Sequence, residues 1–238
     1  MPARPPLFLH AYDHPTAWSL AAAQHIAQAL SRHLASHGGS ARFFVSGGTT
    51  PAPVYEALAH HPLDWARILI NLADERWLAP DQPASNASLI QRHLLHSLPH
   101  CHFMPLVRPG LTIDACVTAA NQVVAQADLP AVAVLGMGDD GHTASLFPAA
   151  PGLHAALTSQ TAYAALDATG CPGANQWPLR ITLTPFGMAS AAQRILLIRG
   201  EQKRAVLDAA LASTDRTAYP IRVAIDHPGE PLHVFWCP

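Results

Sequence analysis

The sequence predicts an α/β protein built on a Rossmann-like, mostly parallel sheet with helices on both faces. Three observations carry this. Short apolar runs alternate with longer helical patterns along the chain. One run, Ala131-Val-Ala-Val-Leu135, is apolar at every position, as suits a strand covered on both faces. Glycines gather directly after two of the strands, at Gly47-Gly48 and at Gly136, Gly138 and Gly141, where open α/β sheets bind their ligands.

Each element has its own warrant. Ala17 to His37 reads as a first helix, Ala-rich, apolar at Trp18, Ala22, Ile26 and Leu30, and closed by Gly38-Gly39. Arg42–Val45 follows as a strand, then a helix holding Val54 and Leu58, then a buried strand at Ile68–Leu72. Asn86 to Leu95 and Cys116 to Ala127 read as helices, and Ala131–Leu135 as the central strand. Arg180–Thr184 and Arg194–Ile198 read as strands, Gln202 to Leu211 as a helix, and Leu232–Trp236 as a closing strand. The Pro/Gly-rich Cys171–Pro178 is a loop insertion too short to separate domains, so residues 1–238 are expected to form one domain. Most of the 22 prolines fall at turns and helix starts.

Composition limits the function. Half of the chain is hydrophobic and only 13% is charged, about half the usual ~25%. Fourteen Lys+Arg against sixteen Asp+Glu give a net charge of −2, so no net field draws the chain to nucleic acid or an anionic membrane. Any anion must be held by a few placed groups. The four cysteines form no Cys-x-x-Cys, which argues against a zinc ribbon or a disulfide framework. Neither a signal-peptide core near Met1 nor an apolar run approaching the ~20 residues of a membrane span is present, and the expected setting is the cytoplasm.

Four segments carry candidate chemistry. In Ser46-Gly-Gly-Thr-Thr-Pro51, Gly47 and Gly48 allow close backbone approach, Thr50 reads as an N-cap and Pro51 fits the first helical position. Free amides there, with the hydroxyls of Ser46, Thr49 and Thr50, would make a phosphate-sized cradle; an ordinary capped turn would look the same. Gly136-Met-Gly-Asp-Asp-Gly-His-Thr-Ala-Ser-Leu-Phe-Pro148 matches Gly-x-Gly-x-x-Gly after a strand, but a dinucleotide site is rejected. Asp139 and Asp140 would face the pyrophosphate, Pro148 interrupts a following helix, and Asp167 lies beyond the ~20-residue spacing of the ribose-binding acid. What the loop offers is His142, a general-base candidate beside an Asp pair. In Asp74-Glu-Arg76, charges follow a strand directly. Asp74 would serve chemistry or a sugar hydroxyl and Arg76 would clamp phosphate, the alternative being a solvated loop. Lys203 and Arg204 lie in the first turn of their helix, where the macrodipole disfavours cations and a bound anion would relieve the conflict.

Two other site types are set aside. His93, His96, His100 and His102 bracket Cys101, but no carboxylate lies among them and Pro99 breaks the helix, so a solvent-facing stretch is favoured over a metal site. No Gly-x-Ser-x-Gly elbow exists for a serine hydrolase.

Together these segments resemble the 6-phosphogluconolactonases, relatives of the glucosamine-6-phosphate isomerase/deaminase fold. Ser46–Pro51, Asp74–Arg76 with Ser85-Asn86, Gly136–Pro148 and Arg180-Ile-Thr-Leu-Thr184 occur in the family order, and Gly200–Lys203 and the aromatic last strand continue it. The run Gly-His-Thr-Ala-Ser-Leu-Phe-Pro is the most specific piece. Two departures stand out: Asp139 replaces a residue that is more often proline, and the segment before Arg180 carries extra residues.

The resemblance implies hydrolysis of 6-phospho-D-glucono-1,5-lactone to 6-phosphogluconate, the second step of the oxidative pentose phosphate pathway, with no metal or other cofactor. The implied partner is the small phosphosugar lactone alone, with no nucleic acid, membrane or obligate protein partner. His142 would be the base on water, oriented by Asp140 or else by Asp74. Amides of the glycine loop, Gly138 among them, would stabilise the oxyanion. Arg76, Lys203 and the Ser46–Thr50 turn would hold the phosphate, with Asn86 beside them and Arg180 assisting. A deaminase on the same scaffold resembles Asp-Glu-Tyr where this chain has Asp74-Glu-Arg76. A non-catalytic phosphosugar sensor would keep the cradle and lose His142.

Overall fold

The middle strands of the main sheet are apolar enough to be covered on both faces. A computed structural model describes residues 7–37, 39–98, 100–126, 130–174 and 176–238. The N-terminal six residues, Gly38, Pro99, Ala127 and Asn175, on which parts of the sequence reading fall, lie outside that set. The chain runs β1 (Phe8–Ala11), α1 (Pro15–His37), β2 (Ala41–Val45), α2 (Ala52–Ala59), β3 (Ile68–Leu72), β4 (Asp74–Arg76), α3 (Asn86–His93), β5 (His102–Met104) and α4 (Ile113–Gln126). It continues through β6 (Pro130–Leu135), α5 (Leu153–Leu157), β7 (Tyr163–Asp167), β8 (Leu179–Leu183), α6 (Pro185–Ala189), β9 (Gln193–Arg199), α7 (Glu201–Ala212), α8 (Arg222–Ile225) and β10 (Leu232–Cys237).

Seven strands form one sheet in the order β1-β10-β9-β6-β2-β3-β5, and every pairing in it is parallel. Phe43, Phe44, Val45 and Val132–Leu135 are fully buried at its centre, with Trp18, Ile26 and Leu30 of α1 in the same core cluster. From β2 the chain builds outward through β3 to β5; from β6 it builds the other way, through β9 to β10. The β2–β6 boundary is therefore a topological switch point, and the crevice beyond the carboxyl ends of these strands is where such sheets bind ligands.

Two sequence expectations change. Asp74–Arg76, read as charges after a strand, is itself a strand, and the Arg180–Thr184 strand does not join the parallel sheet. They pair antiparallel in a second sheet of order β4-β8-β7, with Asp74 opposite Thr182, Glu75 opposite Ile181 and Arg76 opposite Arg180. Three charged residues in a row hide a strand because Asp74 and Glu75 are satisfied by partners outside it, on α3 and in the loop after β6. Thr184 ends up as the N-cap of α6, accepting from Gly187 N–H.

At the β1 edge, His10 and His233 hydrogen-bond ring to ring at 3.0 Å, and the His25 ring of α1 lies 4.3 Å from that of His233. Burial, then the neighbouring charges of His233, His10 and Arg32, pushes the half-buried His25 down to about 4. The unfolded chain takes up this proton near the ordinary 6.5 and the folded chain only near 4, so this share of stability is present above 6.5 and is lost as pH falls toward 4. After discounting for partial exposure the loss by pH 5 is on the order of 1 kcal/mol, or about 3 °C in Tm. Melts at pH 7 and pH 5 should show a drop that His25→Phe reduces; an equal drop in that variant would clear His25 of the effect.

Candidate active site

A cavity of about 270 Å³ opens at the switch point. It draws Ser46–Pro51 from the end of β2, Asp74 and Arg76 from β4, Asn86 from α3, Gly136–Gly138 and His142 from the loop after β6, Arg180 from β8 and Lys203 from α7. Residues scattered along the whole sequence thus meet in one space. Asp140 lies behind His142 rather than on the cavity wall.

The loop after β6 is folded upon itself. Gly138 N–H donates to His142 C=O at 2.9 Å, Gly141 N–H to Gly138 C=O at 3.1 Å, and Thr143 Oγ1 to Gly136 C=O at 2.9 Å. These bonds correct one expectation: the amides of Gly138 and Gly141 are spent inside the loop and are not free for an oxyanion. The role of Gly138 is spatial, since a Cβ there would lie 2.0 Å from His142 Nδ1. Ala144 adopts a left-handed backbone (φ 49°), an uncommon state for a residue with a Cβ, within the turn that follows His142.

His142 Nδ1 and Asp140 Oδ1 are 2.6 Å apart, and the same oxygen accepts from His142 N–H at 3.1 Å. Burial raises the Asp140 carboxyl, but the hydrogen bonds and charge of His142 outweigh it and hold the group below the usual carboxylate range. An ionised Asp140 can only accept, so Nδ1 carries the proton in the neutral ring and Nε2 keeps a lone pair. The carboxylate bonded to the His142 ring is therefore Asp140 and not Asp74. Asp74 Oδ2 accepts from Ser145 Oγ at 2.6 Å, Oδ1 accepts from Asn86 Nδ2 at 3.2 Å, and Arg180 Nη1 stands 3.9 Å from Oδ2. The Phe147 ring packs against His142 with centroids 4.4 Å apart.

Alternation along β4 turns Asp74 and Arg76 to the cavity. Arg76 Nη1 donates to Ala84 C=O at 2.9 Å and to Asn86 Oδ1 at 2.7 Å, while its buried Nε has no partner among the described residues. Gly47 makes room for this pair, because a Cβ there would fall 1.9 Å from Asn86 Oδ1. Lys203 Nζ donates to Met137 C=O at 2.5 Å and pairs with Asp139 at 3.1 Å. Arg204, beside it in sequence, instead pairs with Asp208 and lies over the Trp236 ring.

Two further expectations are corrected and a third is narrowed. The Ser46 hydroxyl is buried and donates to Val134 C=O at 2.7 Å, tying β2 to β6, so it is no free phosphate donor. Thr50 is not the cap of α2: Pro51 holds the N-cap position and its carbonyl accepts the first helical bond. Arg180 lines the cavity with part of its donors already engaged. Nε is bound to Trp177 C=O at 2.6 Å and Nη2 to Ala174 C=O at 2.8 Å, so it ties Ala174 and Trp177 of the 171–178 loop to the site. That loop brings Gly173 so close that a Cβ there would be 3.0 Å from Asp140 Oδ2 and 3.1 Å from His142 Nδ1.

Gly173, Phe147, Ser145 and Glu75 were not found from the sequence. Alternation in a strand was the available signal for Glu75, once Asp74 and Arg76 are given one face. In the histidine stretch, His93 Nδ1 pairs with Glu56 Oε1 at 2.7 Å, a carboxylate supplied by α2 rather than by the stretch itself. Among the described residues no group of three His, Cys, Asp or Glu side chains is placed to hold a metal ion. No helix of the described chain is long and apolar enough to cross a membrane.

Comparison with known proteins places these features. The chain is 50% identical over 226 residues to 6-phosphogluconolactonase of Xylella fastidiosa (strain Temecula1), covering 95% of this chain and 94% of that one. It is 40% identical over 217 residues to 6-phosphogluconolactonase of Pseudomonas putida, covering 91% and 87%. The crystal structure of a 6-phosphogluconolactonase from Shewanella baltica OS155 superposes with a TM-score of 0.91 at 35% identity, over 98% of both chains. Residues 13–236 match the family described as glucosamine-6-phosphate isomerases/6-phosphogluconolactonase, and with the loop after β6, the β4 charges and the parallel sheet in place, this chain belongs to that family.

Proposed function

We propose that the chain is a 6-phosphogluconolactonase, hydrolysing 6-phospho-D-glucono-1,5-lactone to 6-phospho-D-gluconate within the oxidative pentose phosphate route. The observation that carries this reading is the 2.6 Å His142–Asp140 pair set in a cavity that also holds Arg76 and Lys203. One end of such a cavity can take a proton from water while another holds a phosphate dianion. Relatives at up to 50% identity bear the same activity in their names.

A lactone is an activated ester, so the demanding tasks are to deprotonate a water and aim it at the carbonyl. In the proposed route His142 Nε2 takes the proton of that water as its oxygen bonds to the carbonyl carbon. Asp140 holds the Nδ1 proton and steadies the imidazolium that forms. When the tetrahedral intermediate collapses, the ring C–O bond breaks and the imidazolium returns its proton to the departing ring oxygen. No step calls on a metal. Asp74 keeps acceptor capacity beyond its bonds to Ser145 and Asn86 and is placed to receive a sugar hydroxyl.

The test is the disappearance of fresh 6-phosphogluconolactone against its spontaneous opening in the same buffer. Acceleration by the wild-type protein is expected. Binding of 6-phosphogluconate without acceleration would instead make the chain a sensor, and release of ammonia from glucosamine-6-phosphate would make it a deaminase.

A further inference from the structure

We propose that Glu75, which faces away from the cavity, is a positioning residue that fixes Arg76 and Asn86 as a unit; this rests on the reading of Arg76 as the phosphate clamp. Glu75 is 1% exposed. Its Oε1 accepts from Arg76 N–H at 2.7 Å and from Asn86 N–H at 2.8 Å, and its Oε2 from Ala87 N–H at 2.8 Å. Asn86 and Ala87 are the first two residues of α3, whose N-cap Ser85 serves Ser88 N–H. The buried carboxylate therefore fills the anion position at the start of α3 and bolts that helix to β4.

The consequence is felt across the strand. Once the backbone of residue 86 is fixed, the Asn86 side chain has a set place, donating to Asp74 C=O at 2.8 Å and accepting from Arg76 Nη1 at 2.7 Å. Arg76 is thus held through a carboxamide and a carbonyl and makes no ion pair among the described residues. The negative charge nearest to it in sequence is spent on backbone N–H groups, so its own positive charge is left for a ligand. A carboxylate placed directly on the guanidinium would have fixed it equally well and cancelled that charge. Burial pushes Glu75 up to about 7, with Asp74 adding to the shift and the three N–H groups pulling against it, so the ionised form that accepts all three bonds dominates above pH 7 and the assays belong there.

The test compares Glu75→Gln, Arg76→Ala and the double variant on 6-phosphogluconolactone, with folding checked by thermal melting. The amide keeps the shape but sets N–H donors against N–H donors. Glu75→Gln should raise KM about tenfold with kcat within twofold, and should add less than twofold to the KM of Arg76→Ala. An unchanged KM in Glu75→Gln beside a raised KM in Arg76→Ala would overturn the inference and leave the clamp standing. An unchanged KM in Arg76→Ala would overturn both. A kcat loss matching the KM rise, or a further tenfold on the Arg76→Ala background, would mean general loosening and also overturn it. If Glu75→Gln does not fold, Asn86→Ala should show the same tenfold rise in KM, and an unchanged KM there would be equally fatal.

Discussion

His142→Ala should lower kcat on 6-phosphogluconolactone by roughly 10³-fold while leaving KM within about twofold, as expected when a general base is removed. In the proposed route the alanine deletes the group that accepts the water proton but leaves Arg76, Asn86 and Lys203 in place, so binding should persist and turnover fail. Asp140→Asn is the sharper probe, because it keeps the ring. A carboxamide can donate to Nδ1, which moves the ring proton to Nε2 and removes the lone pair; kcat should fall by about 10² or more. Gly138→Ala tests the same geometry from outside: its Cβ would lie 2.2 Å from His142 Cε1 and 2.5 Å from Asp140 Oδ1, so the pair must shift and kcat should drop in a folded protein. Steady-state rates corrected for spontaneous opening decide the matter. Near-normal turnover in His142→Ala would remove His142 from the role of base.

Much of the parallel sheet was legible because its strands are written as short apolar runs: Ile68–Leu72 is observed as expected, and Ala131–Leu135 and Arg194–Ile198 lie within the observed strands. The site was legible for a related reason, since glycines and charges at strand ends have few structural uses in a chain that is only 13% charged. What could not be read was commitment. Ser46 and Gly138 carry the donors that the sequence suggests, yet Val134 far along the chain and His142 within the loop have already claimed them, and two of the three Arg180 nitrogens are spent on Trp177 and Ala174. Nor does local periodicity show β4, because the burial of Asp74 and Glu75 depends on partners brought by α3 and by the loop after β6. The choice between Asp74 and Asp140 as partner of His142 was open in sequence and closes only when distances are known.

Arg76→Ala should raise KM for the phosphorylated lactone about 30-fold, more than Lys203→Ala, with kcat little changed. Hydrogen bonds to charged groups are worth about 1.5–3 kcal/mol when their partner is lost, or roughly 10–150-fold in affinity. Arg76 should lie within that range because it is preorganised by Ala84 and Asn86, carries an unpartnered Nε and shares its charge with no carboxylate among the described residues. Lys203 starts from a weaker position, for its ammonium is divided between Met137 C=O and Asp139, and the Asp139 side chain is 68% exposed. Its loss should cost about threefold to tenfold in KM. Asp139→Asn should lower KM about twofold by releasing Lys203, an effect that salt would screen. The unphosphorylated glucono-1,5-lactone supplies the control, since a clamp that acts on phosphate has nothing to hold there. If Arg76→Ala slows both lactones by the same factor, Arg76 serves the ring or the reacting carbonyl instead. The phosphate would then belong to Lys203 and the Gly47–Thr50 turn.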